Sequence, residues 1–276
     1  MKWTPEAEAA IKKVPFFVRK RVRGRVEKEA GEAGKDTVSI AEVRATQARY
    51  LSKMSSEIKG YHIEKCFGPS GCPNRVNVGE TLLLKIESLF KEEDVLSFLK
   101  QHVEGDLKFH HEFRVSLADC PNACSQPQIK DVGIISAVCP VVTDATCSLC
   151  EACVDACKEG ALVLDTEKCE PDFDFERCLK CGECIRVCPT HTISSGTTGY
   201  RVQLGGKLGR HPKLAKELPG IFSEKEVLEI LRDCIAFYKK NSRQGKRFAE
   251  VFQDADFEEF VNRYGKLSGI SILIPK

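Results

Sequence analysis

The spacing of apolar positions changes along the chain between a helical period and a strand-like one. Apolar residues three and four apart predict helices at Glu92–His102, Ser223–Tyr238 and Phe248–Tyr264. The apolar face of the second of these contains Val227, Ile230, Leu231, Cys234, Ile235 and Tyr238. Alternating or β-branched runs predict strands at Tyr61–Ile63, Phe109–Leu117, Val132–Ile135 and Tyr200–Leu204. The pattern therefore predicts an α+β fold with helices at both ends.

The first 52 residues are predicted to form a helical module. Thr4 and Pro5 are typical of a helix start, with Thr4 as the N-cap and Pro5 in the first turn. Pro15 interrupts the pattern, and the Gly31–Gly34 segment ends the next helix. The second and third helices are predicted at Phe16–Ala33 and Thr37–Ser52, the third capped by Thr37 or Ser39.

The predicted second helix is strongly basic. Between positions 12 and 28 the chain has one acid, Glu27, and eight cations: Lys12, Lys13, Arg19, Lys20, Arg21, Arg23, Arg25 and Lys28. These charges indicate either a solvated helix face or a docking surface for an anionic cofactor, substrate or partner. No base-reading motif accompanies them, so nucleic acid is not an expected partner.

Bulk composition is that of a soluble protein. The 276 residues are 42% hydrophobic and 30% charged, with a formal net charge of +2. No stretch reaches the roughly 18–20 apolar residues of a membrane span, and the N-terminus lacks the apolar core of a signal peptide. We therefore expect a cytoplasmic protein without a membrane span.

Fifteen cysteines dominate the candidate chemistry, and twelve of them sort into three sets of four. Two runs have the spacing Cys-x2-Cys-x2-Cys-x3-Cys, at Cys147–Cys157 and Cys178–Cys188, and Pro189 follows the second. Four more cysteines form two separated pairs, Cys66/Cys72 and Cys120/Cys124. Thiolates in fours select iron–sulfur clusters, so three [4Fe–4S] clusters are predicted. Disulfides and zinc are the alternatives, but both suit these spacings poorly.

The two runs resemble those of two-cluster ferredoxins, in which the fourth cysteine of each run binds the other cluster. The resemblance implies one cluster on Cys147, Cys150, Cys153 and Cys188. It implies a second on Cys178, Cys181, Cys184 and Cys157. Gly182 is expected where the backbone passes close to the cluster, and Pro189 turns the chain away. Residues 140–192 are accordingly predicted to be a ferredoxin insert.

The separated pairs carry a second resemblance. Together with the Gln126–Gly133 and Tyr200–Lys207 segments, they resemble the siroheme-dependent sulfite and nitrite reductases, nearest to the small and anaerobic sulfite reductases, over about residues 60–265. This implies a siroheme and [4Fe–4S] domain over 58–139 and 193–276. It also implies that Cys66, Cys72, Cys120 and Cys124 hold a cluster, and that the Cys124 thiolate bridges that cluster to the siroheme iron.

Siroheme carries many carboxylates, so its pocket should offer amide donors and basic side chains. We expect Asn122, Gly205, Gly206, Lys207 and Arg210 to bind the cofactor. We expect Lys207 and Arg210 to be catalytic together with Cys124. Plain surface charge is the alternative interpretation of Lys207 and Arg210.

The N-terminal module resembles the small helical domain at the C-terminus of light-independent protochlorophyllide reductase subunits. The resemblance rests on Trp3 and on the Val14–Lys20 string, and it implies a helical accessory module. Sulfite reductases have a different domain in this position that helps to hold siroheme and substrate. We therefore expect Arg19, Arg21 or Arg23, or a second subunit, to complete the site.

These features predict an oxidoreductase that reduces sulfite or nitrite at siroheme, fed by ferredoxin-type clusters. The alternative is an iron–sulfur electron-transfer subunit without siroheme. No Gly-x-Gly-x-x-Gly motif follows a strand, so the electrons are expected from a protein donor or partner subunit. The sequence leaves open a homo-oligomer, the choice between sulfite and nitrite, and the roles of Cys139 and Cys169. Cys234 is expected in the core.

Overall fold

The structure, a computed structural model, describes residues 1–76 and 79–265. The chain divides into two units. The N-terminal unit contains Met1–Ile58 and Gly105–Phe109, and the second unit contains Lys59–Glu104 and the chain from His110 onward. Within the described residues, no helix combines the length and the apolar character that crossing a membrane requires.

The N-terminal unit is built from three helices and a pair of very short parallel strands. The helices are α1 (Pro5–Lys12), α2 (Phe16–Glu32) and α3 (Ile40–Glu57), and the strands are β1 (Lys2–Trp3) and β2 (Thr37–Val38). Thr4 caps α1, as predicted, because its side chain accepts a hydrogen bond from the Ala7 N–H. Ser39, rather than Thr37, caps α3 through a capping box with Glu42. Ala7, Val26, Ala30 and Val38 form the core.

A five-stranded sheet organises the second unit. Its order is β3 (Tyr61–Lys65), β4 (Phe113–Ala118), β5 (Val132–Val142), β8 (Ile193–Leu204) and β9 (Lys216–Glu217). The first three strands are parallel, and β8 and β9 are antiparallel to their neighbours. Each predicted strand is present, but Phe109–His111 form a 3-10 turn instead of the start of β4. Parallel strands end at the same edge of a sheet, so the segments that follow β3 and β4 both begin at that edge.

Two predicted helices have different bounds in the structure. The helix predicted at Glu92–His102 is present as α5 (Val95–His102) but begins three residues later, because α4 (Glu80–Glu92), which the sequence pattern did not predict, ends at Glu92. Asp94, at φ +42°, breaks the helix and caps α5. The predicted helix at Phe248–Tyr264 is divided into two helices, α9 (Phe248–Val251) and α10 (Asp254–Tyr264), because extended backbone at Phe252 interrupts it.

Helix α8 (Glu224–Asn241) buries the face that the sequence predicted. All six predicted residues are at most 1% exposed, and Cys234 is fully buried. Tyr238 of this face packs edge-to-face on Phe113, which packs at a tilt on Phe248, and Phe248 stacks on Phe252. The confirmed face indicates that α8 is held mainly by burial of apolar surface.

A buried ion pair fastens the start of β5 to the C-terminal helices. Asp131 is fully buried and accepts hydrogen bonds from the Arg114 and Ala249 N–H groups and from the Arg247 guanidinium at 3.2 Å. Burial raises the pKa of the Asp131 carboxyl, and Arg247 opposes that rise. Removing one partner of such a buried pair typically lowers the free energy of unfolding by about 3–5 kcal/mol. The Asp131 contacts therefore hold the start of β5 against β4 and α9.

The insert leaves the sheet between β5 and β8. It contains α6 (Ala152–Ala156), β6 (Leu162–Asp165), β7 (Glu170–Phe173) and α7 (Glu183–Val187), with β6 and β7 paired as a hairpin. Its core is Cys153, Leu162 and Ile193, against which Cys157, Cys184 and Cys188 pack. Cysteine side chains therefore supply much of the buried surface of the insert.

Candidate functional site

The two separated cysteine pairs meet at the carboxyl edge of β3 and β4. Cys66 follows β3, and its N–H donates to the Leu117 carbonyl of β4 at 3.1 Å. Cys120 comes two residues after the end of β4. Cys66, Cys72, Cys120 and Cys124 line one cavity, and we refer to them as the sheet-edge set. The fold thus unites two pairs that lie 54 positions apart in sequence.

Tight turns aim these four thiols at the cavity. The 3-10 turn Gly68–Ser70 carries the chain from Cys66 to Cys72, whose N–H donates to the Gly68 carbonyl at 3.0 Å. A side chain at position 68 would place Cβ only 2.5 Å from an Asp119 oxygen, so the turn requires glycine. Ala123 adopts φ +55° and reverses the chain between Cys120 and Cys124.

Cys124 differs from the other three cysteines of the sheet-edge set. It is exposed, whereas Cys66, Cys72 and Cys120 are half-buried. The Asn122 amide donates to the Cys124 sulfur at 3.1 Å, and the Asp119 N–H donates to the Cys66 sulfur at 3.3 Å. Cys124 is the member of the set whose sulfur is accessible from outside the protein.

Asp119 is a site residue that the sequence pattern did not indicate. Its side chain is fully buried and lines the same cavity. Its two oxygens have no hydrogen-bond partner of good geometry among the described residues. Burial raises the pKa of the Asp119 carboxyl, against opposing effects of Lys65, Arg75 and the Gly79 N–H. Its only sequence signal is its place directly before Cys120.

The ferredoxin-type runs enclose two further cavities. One is lined by Cys147, Cys150, Cys153 and Cys188, which we refer to as the outer set. The other is lined by Cys157, Cys178, Cys181 and Cys184, the inner set. Each cavity therefore takes three cysteines from one run and the last cysteine of the other.

Equivalent positions of the two runs adopt equivalent backbone conformations. Leu149 and Lys180 lie at φ +53° and +59°, and their N–H groups each donate to a cysteine sulfur two residues earlier at 3.4 Å. Glu151 and Gly182, also at positive φ, are the N-cap residues directly before α6 and α7. These turns direct N–H groups at sulfur, the environment that stabilises thiolates bound to iron.

The last cysteine of each run receives a hydrogen bond from beyond its helix. The Ala161 N–H donates to the Cys157 sulfur at 3.3 Å, and the Ile193 N–H donates to the Cys188 sulfur at 3.5 Å. Burial raises the pKa of the Cys184 thiol to about 12 and also raises the pKa of Cys178 and Cys120. Buried thiols of this kind need a bound cation to become thiolates.

The inner set lies next to the sheet-edge set. Its cavity is also lined by Asn74, Cys120, Pro121 and Asn122. The outer cavity, by contrast, is lined by residues between positions 147 and 193 throughout the part that the structure describes. Three hydrogen bonds join residues 179–186 of the insert to the rest of the second unit. Arg186 donates to the Pro73 carbonyl, Arg201 donates to the Leu179 carbonyl at 3.1 Å, and the Val138 N–H donates to the Lys180 carbonyl at 2.9 Å.

Gly205, Gly206, Lys207 and Arg210 are not brought to the sheet-edge set. Leu204 pairs with Val132, which is level with Val115, three residues before the end of β4. The Gly205 end of β8 is therefore about 10 Å from that edge along the strand direction. A Cβ at Gly206 would lie 2.4 Å from the Gln128 carbonyl, so packing within the chain accounts for this glycine.

The predicted cations in this segment have other surroundings. Lys207 forms an ion pair with Glu250 at 3.5 Å, and Arg210 is exposed in the loop that follows. Asn122 alone among the five predicted cofactor-binding residues lines a cysteine cavity. Among the remaining cysteines, Cys139 is half-buried and Cys169 is exposed.

The donor sets fit clusters rather than single ions. The cysteine sets surround cavities and accept N–H donors at sulfur, as thiolate ligands of a multi-iron cluster do. The single exposed thiol of the sheet-edge set is suited to a further ligand on its open side.

Two family models match different parts of the chain, and the Ile58/Lys59 boundary between the two structural units lies between the two matches. Residues 71–271 match the family model described as the nitrite and sulphite reductase 4Fe-4S domain. Residues 3–47 match the model described as the proto-chlorophyllide reductase 57 kD subunit.

Curated relatives resemble parts of the chain. A coenzyme F420-dependent sulfite reductase of Methanocaldococcus jannaschii is 28% identical over 159 residues, which are 57% of this chain and 25% of that protein. A dissimilatory-type sulfite reductase chain of Archaeoglobus fulgidus is 28% identical over 55% of this chain and 45% of that protein. A light-independent protochlorophyllide reductase chain of Chlorobium luteolum is 58% identical over 40 residues, or 14% of this chain and 8% of that protein. The chain thus spans less than half the length of each of these relatives.

Proposed function

Because the chain belongs to the nitrite and sulphite reductase 4Fe-4S domain family, we propose that it is a siroheme-dependent oxidoreductase that reduces sulfite or nitrite. Electrons are relayed to the site through two ferredoxin-type clusters. The observation that carries this proposal is the arrangement of twelve cysteines in three sets. The outer and inner sets share one core, and the inner cavity is also lined by Cys120, a member of the sheet-edge set that includes the exposed Cys124.

Each cysteine set has a role in electron transfer that follows from its position. The outer set holds the cluster that receives electrons, and the inner set holds the cluster that passes them on. Cys120 and Asn122 line the inner cavity, so transfer to the sheet-edge set crosses only the Cys120–Asn122 segment. Short gaps of this kind support the transfer of several electrons in succession to one substrate atom.

At the sheet edge, the residues bind and orient. Cys66, Cys72, Cys120 and Cys124 hold the third cluster, and the Asn122 amide orients the Cys124 sulfur. Siroheme, when bound, supplies the iron at which sulfite or nitrite is reduced. Cys124, whose thiol is exposed, is the residue that would offer a thiolate to that iron. Lys207 and Arg210 lie away from this edge, whereas Arg75 lines the cavity of the sheet-edge set, and any further cations that hold carboxylates and substrate are to be sought in another polypeptide.

Iron analysis and an absorption spectrum of the anaerobically purified protein test the proposal. We expect about twelve irons per chain in three cubanes, plus one with siroheme, together with visible haem bands. The Cys169→Ser variant, whose substitution lies outside the three sets, should give the same values. About eight irons per chain would contradict a cluster on the sheet-edge set. Twelve irons without haem bands would favour the iron–sulfur electron-transfer subunit instead.

The outer set should be required for electron transfer from a protein donor but not for the reduction of sulfite itself. We expect the Cys150→Ala variant to lose at least an order of magnitude in sulfite reduction with a protein electron donor, because its entry cluster is damaged. Turnover with reduced methyl viologen, which can reach the site directly, should stay within about twofold of the parent. Equal loss with both donors would show that the outer set serves folding rather than delivery.

A further inference from the structure

The corner between α1 and α2 presents two large aromatic side chains to solvent. Phe16 and Phe17 are 82% and 75% exposed, in the first turn of α2 directly after Pro15. Their ring centroids are 5.7 Å apart and the ring planes are almost perpendicular. Adjacent exposed aromatics of this size are typical of a contact surface, since leaving them in water forgoes their burial energy.

The cations of the N-terminal unit are sorted by their partners. Towards the end of α2, Arg23 pairs with Glu8 at 2.7 Å, Arg25 with Glu29 at 3.3 Å, and Lys28 with Glu32 at 3.8 Å. Four exposed cations at the corner make no ion pair among the described residues: Lys12, Lys13, Lys20 and Arg21. The eight basic residues thus leave a concentrated positive charge around Phe16 and Phe17.

Two of the three arginines expected to bind an anionic ligand, Arg19 and Arg23, make other contacts instead. The Arg19 guanidinium donates to the carbonyls of Lys12 and Val14 and so caps the end of α1. Arg23 lies over the Trp3 ring at 4.4 Å, in addition to its pair with Glu8. Arg21 alone of the three keeps its charge free of such contacts within the described residues.

The position of the free cations on α2 is unfavourable for the isolated helix. The helix has no side-chain cap at Pro15 and no acid in its first turn. Lys20 and Arg21 follow in the second turn, close to the positive end of the helix dipole. Negative charge brought to the corner would relieve this repulsion, so the arrangement favours an anionic partner.

The shape of the corner favours a protein. Two protruding, edge-to-face rings make no cleft that could bury the faces of a flat macrocycle. Helix α2 has buried residues only at Val26 and Ala30 and carries charges on every side, unlike a helix that lies in a lipid surface. An aromatic centre ringed by cations is the usual anatomy of a protein–protein contact with an acidic partner.

We propose that the corner formed by Phe16, Phe17, Lys12, Lys13, Lys20 and Arg21 docks an acidic electron-carrier protein. The carrier's carboxylates surround an apolar spot that covers the two rings. The identity of the partner as an electron carrier rests on the proposed function, whereas the acidic and apolar chemistry of its surface rests on the corner itself.

Direct binding to the full chain tests this inference without turnover. The probe is a plant-type [2Fe–2S] ferredoxin, a small acidic carrier, titrated by calorimetry at low and high salt. We expect the double variants Lys20→Glu/Arg21→Glu and Phe16→Ser/Phe17→Ser each to weaken binding about tenfold. The charge variant should also flatten the salt dependence, because surface charge acts within a Debye length of about 8 Å at physiological ionic strength.

The matched control is Lys28→Glu, a charge reversal on the same helix at an exposed residue that already pairs with Glu32. Its affinity should stay within about twofold of the parent. Absent binding of the parent, or equal affinities of parent and corner variants, would overturn the inference. So would binding of anionic lipid vesicles that depends on Phe16 and Phe17 in place of carrier binding.

Sulfite reduction with methyl viologen keeps this result separate from the proposed function. If the corner is a docking surface only, both corner variants should turn over sulfite with methyl viologen like the parent. Failure of the parent itself to reduce sulfite or nitrite would contradict the proposed function but leave the binding measurement valid. Slower methyl viologen turnover in the corner variants would overturn docking as the role of the corner.

Discussion

The Cys124→Ser variant is expected to lose sulfite reduction by at least two orders of magnitude with any electron donor. Cys124 is the exposed member of the sheet-edge set, and its sulfur receives the Asn122 amide at 3.1 Å. Serine offers a hard oxygen in place of a soft thiolate, which iron–sulfur clusters bind poorly. If siroheme is bound as proposed, the variant should also lose the haem-coupled part of the visible spectrum.

The two ferredoxin-type sets should be unaffected, because neither includes Cys124. We expect about eight irons per chain in the variant, reducible as in the parent. Cys169→Ser is the matched control, since Cys169 is exposed but belongs to none of the three sets. Full activity of Cys124→Ser would show that the bridging ligand is a different residue.

Removal of iron is expected to unfold the insert while the sheet of the second unit stays folded. The insert core combines Leu162 and Ile193 with cysteines of both ferredoxin-type sets. Two-residue turns and helices of five residues surround each cavity, and they have little apolar surface of their own. Without clusters, the free energy that orders these loops is lost, so metal binding and folding are coupled.

Hydrogen exchange measured by mass spectrometry, before and after anaerobic chelation, checks this expectation. Amides over 147–157 and 178–188 should lose nearly all protection. Amides over 132–138 of β5 should keep it, because the side chains of Val132, Ile134 and Ala137 are fully buried. Protection that persists in the insert after iron removal would show that its small core suffices without clusters.

Local features of the sequence predicted much of the structure. Thr4 caps α1, and α8 buries the six residues that its helical spacing indicated. The family resemblance indicated by the cysteine spacing and the neighbouring motifs is confirmed by the family match. These features depend on residues a few positions apart, so turn geometry and side-chain periodicity determine them without help from the rest of the chain.

Apart from the cysteine groupings, which the resemblances implied, features that combine distant segments were not predicted. Asp119 has no motif of its own, and only burial between Gly68, Gly79 and the cysteines makes it distinctive. Gly205 and Gly206 look like glycines that admit a cofactor, yet Gly206 is required by the nearby carbonyls of Gln128 and Lys130. A glycine in sequence does not reveal which atoms approach it.

The sequence by itself determined which cysteines share a loop, where α1 and α2 begin and which face of α8 is buried. Tertiary structure decided that Cys66/Cys72 and Cys120/Cys124 share one cavity, because parallel β3 and β4 end at one edge of the sheet. It also decided that the inner set, not the outer one, adjoins Cys120, and that four of eight cations stay unpaired around Phe16 and Phe17 among the described residues. The physical reason is that strand register and side-chain pairing join residues far apart in the chain, and local spacing carries no record of those contacts.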